Sequence, residues 1–552
     1  MREIAMALSE NLSEGEFSQR KIAIARKHRL MATPSNADVL MGSGQAAELR
    51  NLLLGKPVRR ASGVSVVAVM TEPRLCPHGK CIYCPGGPKS ALGDVPMAYT
   101  GREPASMRGA RTGYDAYLQV FTRLEQYVAQ GHVPEKIELI VMGGTLPSYE
   151  ESYQRAFLTD CFNAMNDFSM FFDEDLDYAR FARFFELPGS VRDEQRVRRV
   201  HERIRALKAK NHATLEQAHA QNEHARVRCI GMTLETRADF SDLFHANRML
   251  EQGATRVELG VQSVYDDVLE MTGRSHGAQE NIDATAALKD LGFKVNYHLM
   301  PGLPGVSYAR DLEGLKQVFS DTRYRPDMIK IYPTGVFPGT VLYDYYAQGM
   351  YTPLRIDDAV ELLAEFKPHI PTWCRVMRVQ RDIPSTMLVD GVLKTNLRQL
   401  IHDRMRALGT RCRCIRCREV GHATRIFRHG EFVEVRYEAS GGREVFVSFE
   451  DVESDLLLGF VRLRYPARQL RSEITEHTAL IRELHVYGST ARLGKEGVVQ
   501  HRGIGKRLMA EAERIAREDG YRKMLVISGV GVREYYARLG YRRDGPYMGK
   551  ML

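Results

Sequence analysis

Residues 76–87 read CPHGKCIYCPGG and hold three of the nine cysteines. The stretch directly follows SVVAVMT (65–71), the first of six short β-rich runs. The others are KIELIVMGGT (136–145), RCIGMTLETRAD (228–239), RVELGVQS (256–263), KVNYHLMPGLPG (294–305) and MIKIYPT (328–334). Each ends in Gly or polar residues and is followed by a helical stretch. Strands alternating with helices imply βαβ units and a parallel sheet, hence an α/β fold with a partial or full barrel. Barrels carry their chemistry at the C-terminal strand ends, and the thiols sit at the first such end.

Composition sets the outer bounds. The chain has 552 residues, 44% hydrophobic and 27% charged, enough for several packed domains. The start, MREIAMALSENLSEGE, is not a secretory signal, and no apolar run is long enough to span a bilayer, so a cytoplasmic protein without a membrane partner is expected. Clustered, odd-numbered cysteines there argue for metal ligation over disulfides. A net charge of +9 favours a polyanionic partner.

Cys76, Cys81 and Cys84 lie on a Gly/Pro-rich loop without a fourth ligand nearby. A closed zinc site takes four; a zinc loop completed by His78 is the alternative. Three thiolates suit a [4Fe-4S] cluster with one iron open to S-adenosylmethionine (SAM). Cys-x4-Cys-x2-Cys, with Tyr83 before the last cysteine, is similar to the radical-SAM motif, one residue longer. Gly143 and Gly144 end the second strand, where radical-SAM barrels receive the methionine amino group. Glu235, Arg237, Gln262, Asn296 and His298 lie near later strand ends as candidate SAM or substrate contacts.

From about residue 430 adjacent strands replace the alternation. QHRGIGKRLMAEAERIA (500–516) places Gln500, Gly503 and Gly505 at a helix start, where free N–H groups and the dipole attract a pyrophosphate. With the upstream strand IRELHVYG and the downstream KMLVISGVGVREYYARLGY, the order is similar to that of GNAT acetyltransferases. Tyr536 is placed to meet a thioester.

CPGGP, YTGREPASMR (99–108), RVQRDIP (378–384), RELHVYG (482–488), SGVGVREYY (528–536) and DGPYM (544–548) together resemble the catalytic subunit of the Elongator complex and its stand-alone prokaryotic relatives. The likeness runs from about residue 60 to the C-terminus. It implies a partial radical-SAM barrel plus a C-terminal GNAT mixed α/β domain, acting on tRNA. A SAM-derived radical would activate the methyl of acetyl-CoA, which adds to C5 of the wobble uridine as a carboxymethyl precursor. By matching motif, Cys76, Cys81 and Cys84 hold the cluster. Lys136, Glu483, Leu484, His485, Val486, Ile504, Gly505, Lys506 and Tyr536 match acetyl-CoA contacts, and Lys330 and Tyr332 face substrate. A protein-lysine N-acetyltransferase is the alternative; it leaves the barrel without a part.

These readings divide the chain into a basic segment (1–60) for tRNA, a barrel (61–334) with a helical insertion (146–227), a linker (335–429) and the GNAT domain (430–552). Within 392–430, ten Lys/Arg face two acids. There Cys412, Cys414 and Cys417, with Cys374 returning as fourth ligand, are expected to bind zinc; His402 or His422 could replace Cys374. Cys161 and Cys229 read as packing residues. The electron donor and any accessory subunits stay open.

Overall fold

In the computed structural model the described residues are 1–7, 14–30, 33–43, 53, 63–190, 193–420, 429–487 and 503–552. The chain forms two compact units: Met1–Val67 with Asp115–Glu138 and Ala156–Ile230, and Ala68–Tyr114 with Leu139–Arg155 and Gly231–Leu552.

In the first unit, helices Arg2–Ala7, Glu14–Lys27 and Asn36–Gly42 bury Ile4, Phe17, Ile24, Val39 and Leu40. A second core is aromatic: Phe121, Phe168, Phe171, Phe181 and Phe185 meet with ring centroids 4.7–6.4 Å apart. Helix Glu194–Lys208 opens on Asp193, which caps Arg196 N–H. Its cations are largely neutralised locally. Arg196 is buried on Glu125 (3.2 Å), Arg199 and Arg203 clamp Glu186 (2.7 and 2.5 Å), and Lys208 bridges Asp115 and Asp160 (2.8 and 2.7 Å). These side chains are committed to the fold, so this helix offers fewer free charges to RNA than its composition suggests.

A seven-stranded sheet runs in sequence order: Val64–Met70 (β1), Lys136–Met142 (β2), Arg228–Thr236 (β3), Arg256–Gln262 (β4), Lys294–Leu299 (β5), Met328–Ile331 (β6) and Arg375–Arg378 (β7). Pairing from β3 to β7 is parallel throughout. The seventh strand lies beyond the six expected.

The second sheet consists of Glu431–Ala439 (β8), Gly442–Asp451 (β9), Leu456–Tyr465 (β10), Thr478–Val486 (β11), Lys523–Val526 (β12), Arg542–Asp544 (β13) and Tyr547–Met551 (β14). Its order is β8-β9-β10-β11-β12-β14-β13. β11 and β12 pair in parallel only from Thr478↔Lys523 to Ile481↔Val526. Glu483–Val486 continue beyond that register, leaving a one-sided edge. Helix Ile504–Glu518 packs Leu508, Ala512 and Ile515 into this domain's core.

Both sheets of the second unit meet in a buried lattice of charge. Asp327, preceding β6, is fully buried and takes two bonds from Arg482 on β11 (2.7 and 2.5 Å) and one from Val295 N–H (2.9 Å). Arg482 also reaches Glu444 on β9 (2.8 Å) and the Phe293 carbonyl (2.7 Å). Arg464 joins Glu444 (2.9 Å) to Asp290 (2.5 Å), and Arg462 joins Glu483 (2.9 Å). Lys289 approaches Asp327 and Glu444 at 3.6 and 3.5 Å. Burial pushes the Lys289 amine down to about 8. For Asp327 burial acts upward, but Arg482 and Lys289 outweigh it and hold the carboxyl well below its ordinary range.

Cutting one arm of this lattice strands carboxylates in a dry interior. Arg482→Leu should cost about 3–5 kcal/mol. Arg468→Leu, whose half-exposed partner bond to Asp290 spans 3.2 Å, should cost only about 0–1 kcal/mol. Urea midpoints of the two variants should therefore separate clearly; equal midpoints would contradict the lattice's role.

Candidate active site

The loop after β1 is pinned at both sides. Ile82 N–H donates to the Thr272 carbonyl (3.2 Å), and Leu342 N–H donates to the Ile82 carbonyl (3.0 Å). Cys81 and Cys84 are buried among Tyr83, Met97, Val268, Leu303 and Leu342, and Cys76 is half-buried. Each of the two buried sulfurs meets a nitrogen: Ala98 N–H lies 3.2 Å from Cys84 Sγ, and His78 Nε2 lies 3.3 Å from Cys81 Sγ. Arg274 is a further 3.9 Å neighbour of Cys81. Burial pushes the Cys84 thiol up to about 11 and Cys76 upward, so these sulfurs become thiolates only with compensating positive charge. They do not close within 4.8 Å of one another as donors to a single ion do; among the described residues the groups that close so are Cys412–Cys414–Cys417 and Glu235–Glu258–His298. A wide, apolar, three-thiol pocket fits a polynuclear cluster rather than one ion.

Gly143 and Gly144 follow β2 with φ of +118° and +117°. A Cβ on Gly143 would lie 2.4 Å from Thr71 Oγ1, so the close approach of the backbone to this loop requires glycine. Gln262 ends β4 at φ +65°, rare for a side-chain-bearing residue, with Oε1 buried and without a partner. Glu235 accepts from Tyr99 Oη at 2.6 Å. Arg237 is otherwise engaged: its guanidinium bonds Asp239 twice (2.9 and 2.8 Å), the Ser275 hydroxyl (2.9 Å) and the Arg274 carbonyl (3.0 Å), and touches His78. It serves as a pin for the cluster loop.

Lys330 on β6 contacts Glu258 on β4 and lies 3.9 Å from Glu235. His298 Nε2 is 3.0 Å, and Asn296 Nδ2 3.1 Å, from the Glu258 carboxylate. Burial alone would raise Glu258, but Lys330 and the His298 bond hold it well below the ordinary range. Tyr332 lies edge-on to His298 (5.3 Å), and burial pushes its hydroxyl up. Glu258 escaped the sequence reading, although an acid inside the apolar run RVELGV is the signal that marks it. Lys136 begins β2, at the opposite end from Gly143; it is half-buried, and burial lowers its amine.

In the second sheet, Leu484, His485 and Val486 lie on the one-sided edge of β11, and His485 stacks on Phe460 (5.9 Å) and lies tilted against Tyr487 (4.3 Å), which also meets Phe460 (6.2 Å). Glu483 is tied to Arg462 and so belongs to the lattice as much as to the edge. Gly503 takes φ +76° as N-cap of the helix whose first turn is Ile504, Gly505 and Lys506. Gly505 is close-packed: a Cβ there would lie 3.0 Å from Tyr535 Oη. Tyr536 is buried with its hydroxyl pushed up by desolvation. Gln500 lies outside the described residues.

The second thiol cluster differs from expectation. Cys414 and Cys417 sulfurs are 3.7 Å apart, and Cys412 closes the group within 4.8 Å. Cys374 is adjacent through its backbone, its carbonyl accepting from Ile415 N–H (2.9 Å), but its thiol is not among the three that converge. His402 Nε2 is 2.9 Å from Lys367 Nζ, so it too is engaged elsewhere; His422 is outside the described residues. Three convergent thiols fit an iron–sulfur site or a single tetrahedral ion.

Comparison with known proteins matches this geometry. The Radical SAM superfamily profile covers residues 73–315, the Radical_SAM C-terminal domain 326–407 and the Acetyltransferase (GNAT) family 424–541. The tRNA uridine(34) acetyltransferase of Methanocaldococcus infernus is 45% identical, covering 98% of this chain and 96% of its own length. Elongator complex protein 3 of Homo sapiens is 40% identical over 97% and 93%.

The chain belongs to the Elongator complex protein 3 family.

A solved structure of the archaeal Methanocaldococcus infernus member, with an N-terminal deletion, superposes with a TM-score of 0.72 at 42% identity, covering 89% of this chain and 99% of that one. As in the family, a radical-SAM half-barrel precedes a GNAT domain, so SAM, an iron–sulfur cluster and acetyl-CoA are the groups these domains take. Among the described residues no helix is long and apolar enough to cross a membrane.

Proposed function

We propose that this chain modifies uridine at position 34 of tRNA, joining radical-SAM and acetyl-CoA chemistry to place a carboxymethyl precursor on C5. The supporting observation is that the cluster loop and the acetyl-CoA edge belong to one compact unit held by the buried lattice around Asp327 and Arg482. When bound, the cluster and SAM supply a one-electron cleavage that yields a hydrogen-abstracting radical. Cys76, Cys81 and Cys84 hold the cluster, with Ala98 N–H and His78 on its sulfurs. Gly143 and Gly144 open the space for the methionine amine, and Glu235 and Gln262 border it. Leu484–Val486 receive the pantetheine arm, and the first turn Ile504–Lys506 receives the pyrophosphate. Tyr536, protonated throughout the physiological range, hydrogen-bonds the thioester. Lys330 and Tyr332 face the base. A lysine N-acetyltransferase reading leaves this barrel chemistry without a part and is not favoured.

Anaerobic reconstitution with tRNA, SAM and acetyl-CoA, followed by nucleoside mass spectrometry, tests this reading. A uridine carrying a C5 carboxymethyl group is expected. Release of 5′-deoxyadenosine with unmodified uridine would contradict it.

We infer that Cys412, Cys414 and Cys417 hold a single zinc whose fourth ligand is not among the three convergent thiols. The 3.7 Å sulfur separation matches the edge of a tetrahedron with metal–sulfur bonds of about 2.3 Å. The ion would brace the linker and add its binding energy to folding. Elemental analysis of Cys414→Ser should show about one zinc fewer per chain and a lower melting temperature; loss of iron instead would overturn the zinc assignment.

A further inference from the structure

The inner face of the half-barrel is not a packed apolar layer. Glu258 on β4 is fully buried, and it sits in register with Asn296 on β5. His298, two residues on, is in register with Lys330 on β6. Successive inward positions on three strands thus carry a carboxylate, an amide, an imidazole and an ammonium. Interior barrel positions are ordinarily filled by branched apolar residues. A buried carboxylate with its partners adds little stability relative to well-packed apolar side chains, so this polar set calls for a ligand.

Glu258 decides what the set can bind. Its carboxylate only accepts, so His298 must donate through Nε2–H across 3.0 Å. In the tautomer with the proton on Nε2 the lone pair lies on Nδ1, which makes no hydrogen bond among the described residues. Lys330 gives one N–H to Glu258 and lies 3.9 Å from Glu235, which leaves it a further N–H to offer a ligand. An acceptor and a cationic donor are therefore offered by residues in register on adjacent strands. The imide edge of uracil is the complement: an N3–H donor flanked by carbonyl oxygens. Cytosine inverts it, with an acceptor at N3 and a donor at C4.

We propose that His298, fixed in one tautomer by Glu258, reads the N3–H of the target uracil while Lys330 reads a flanking carbonyl. His298 touches the base, and Glu258 is a positioning residue acting through it. The inference rests on the tRNA-uridine reading above, and names the residues that select the base.

The test is direct binding of anticodon stem–loop RNAs with uridine or cytidine at position 34 to the full, cluster-loaded chain, without SAM or acetyl-CoA. Wild type should prefer uridine by roughly 10- to 100-fold. His298→Leu should bring the preference close to one. Glu258→Gln should do the same, because its amide can donate to Nε2 and move the ring proton to Nδ1. His298→Gln, with an amide oxygen able to accept in the same place, should restore a preference, which simple disruption of the barrel would not. Iron content at the wild-type level confirms that each variant is folded at the cluster. The proposal is overturned if wild type binds both loops equally, or if His298→Leu and Glu258→Gln keep the wild-type preference. A wild type that prefers uridine but forms no modified nucleoside would instead overturn the proposed reaction and leave base reading intact.

Discussion

The ion lattice around Asp327 is the constraint on which the rest depends. Four cations, Lys289, Arg462, Arg464 and Arg482, meet four carboxylates, Asp290, Asp327, Glu444 and Glu483, in a dry interior. Such a set is costly to desolvate and adds little stability over apolar packing. What it does impose is geometry. Each guanidinium has a fixed fork, so bonds to Asp327 and Glu444 together allow one placement of β11 against β5 and β6. A greasy interface tolerates sliding; this one does not. The edge proposed for acetyl-CoA begins at Glu483, itself a lattice member, so the lattice fixes that edge relative to the strands bearing Glu258, His298 and Lys330.

The same logic of buried, paired charge recurs at the barrel interior, on a smaller scale. Glu258 holds Lys330 charged and His298 oriented, while Arg237, tied to Asp239, steadies the loop of cluster cysteines through His78. Pre-oriented donors cost no reorganisation when substrate arrives. Positive φ is concentrated where contact is closest: Gly143 and Gly144 adopt it freely as glycines, and Gln262 adopts it at a cost because it is not one. The functional surface is thus assembled from strand ends whose side chains already bond one another, which suits chemistry requiring reacting atoms to approach within roughly 3–3.5 Å.

Much of this was legible in the sequence because local spacing encodes it. Three thiols after the first strand, two glycines after the second and a glycine turn before an amphipathic helix are all short-range patterns. The lattice was not legible. Nothing local in LLLGFVRLRY marks Arg462 and Arg464 as interior, yet every residue of β10 is buried. Their partners lie 20 to 174 positions away, and no window reports such pairs. Glu258 is a partial case: an acid within RVELGV marks the position, but its partner Lys330 lies 72 positions on. The linker thiols show the opposite error. Cys374 was expected as the fourth ligand, while its carbonyl meets the cluster segment and its sulfur is not among the three that close within 4.8 Å.

The central claim is that the two sheets form one active site, with the acetyl methyl delivered to the radical. Acetyl-CoA deuterated in the methyl group measures it most directly, in a reaction with SAM and tRNA. Deuterium should appear in 5′-deoxyadenosine alongside modified uridine. Modified uridine formed with unlabelled 5′-deoxyadenosine would show that the hydrogen comes from elsewhere, and would contradict the account.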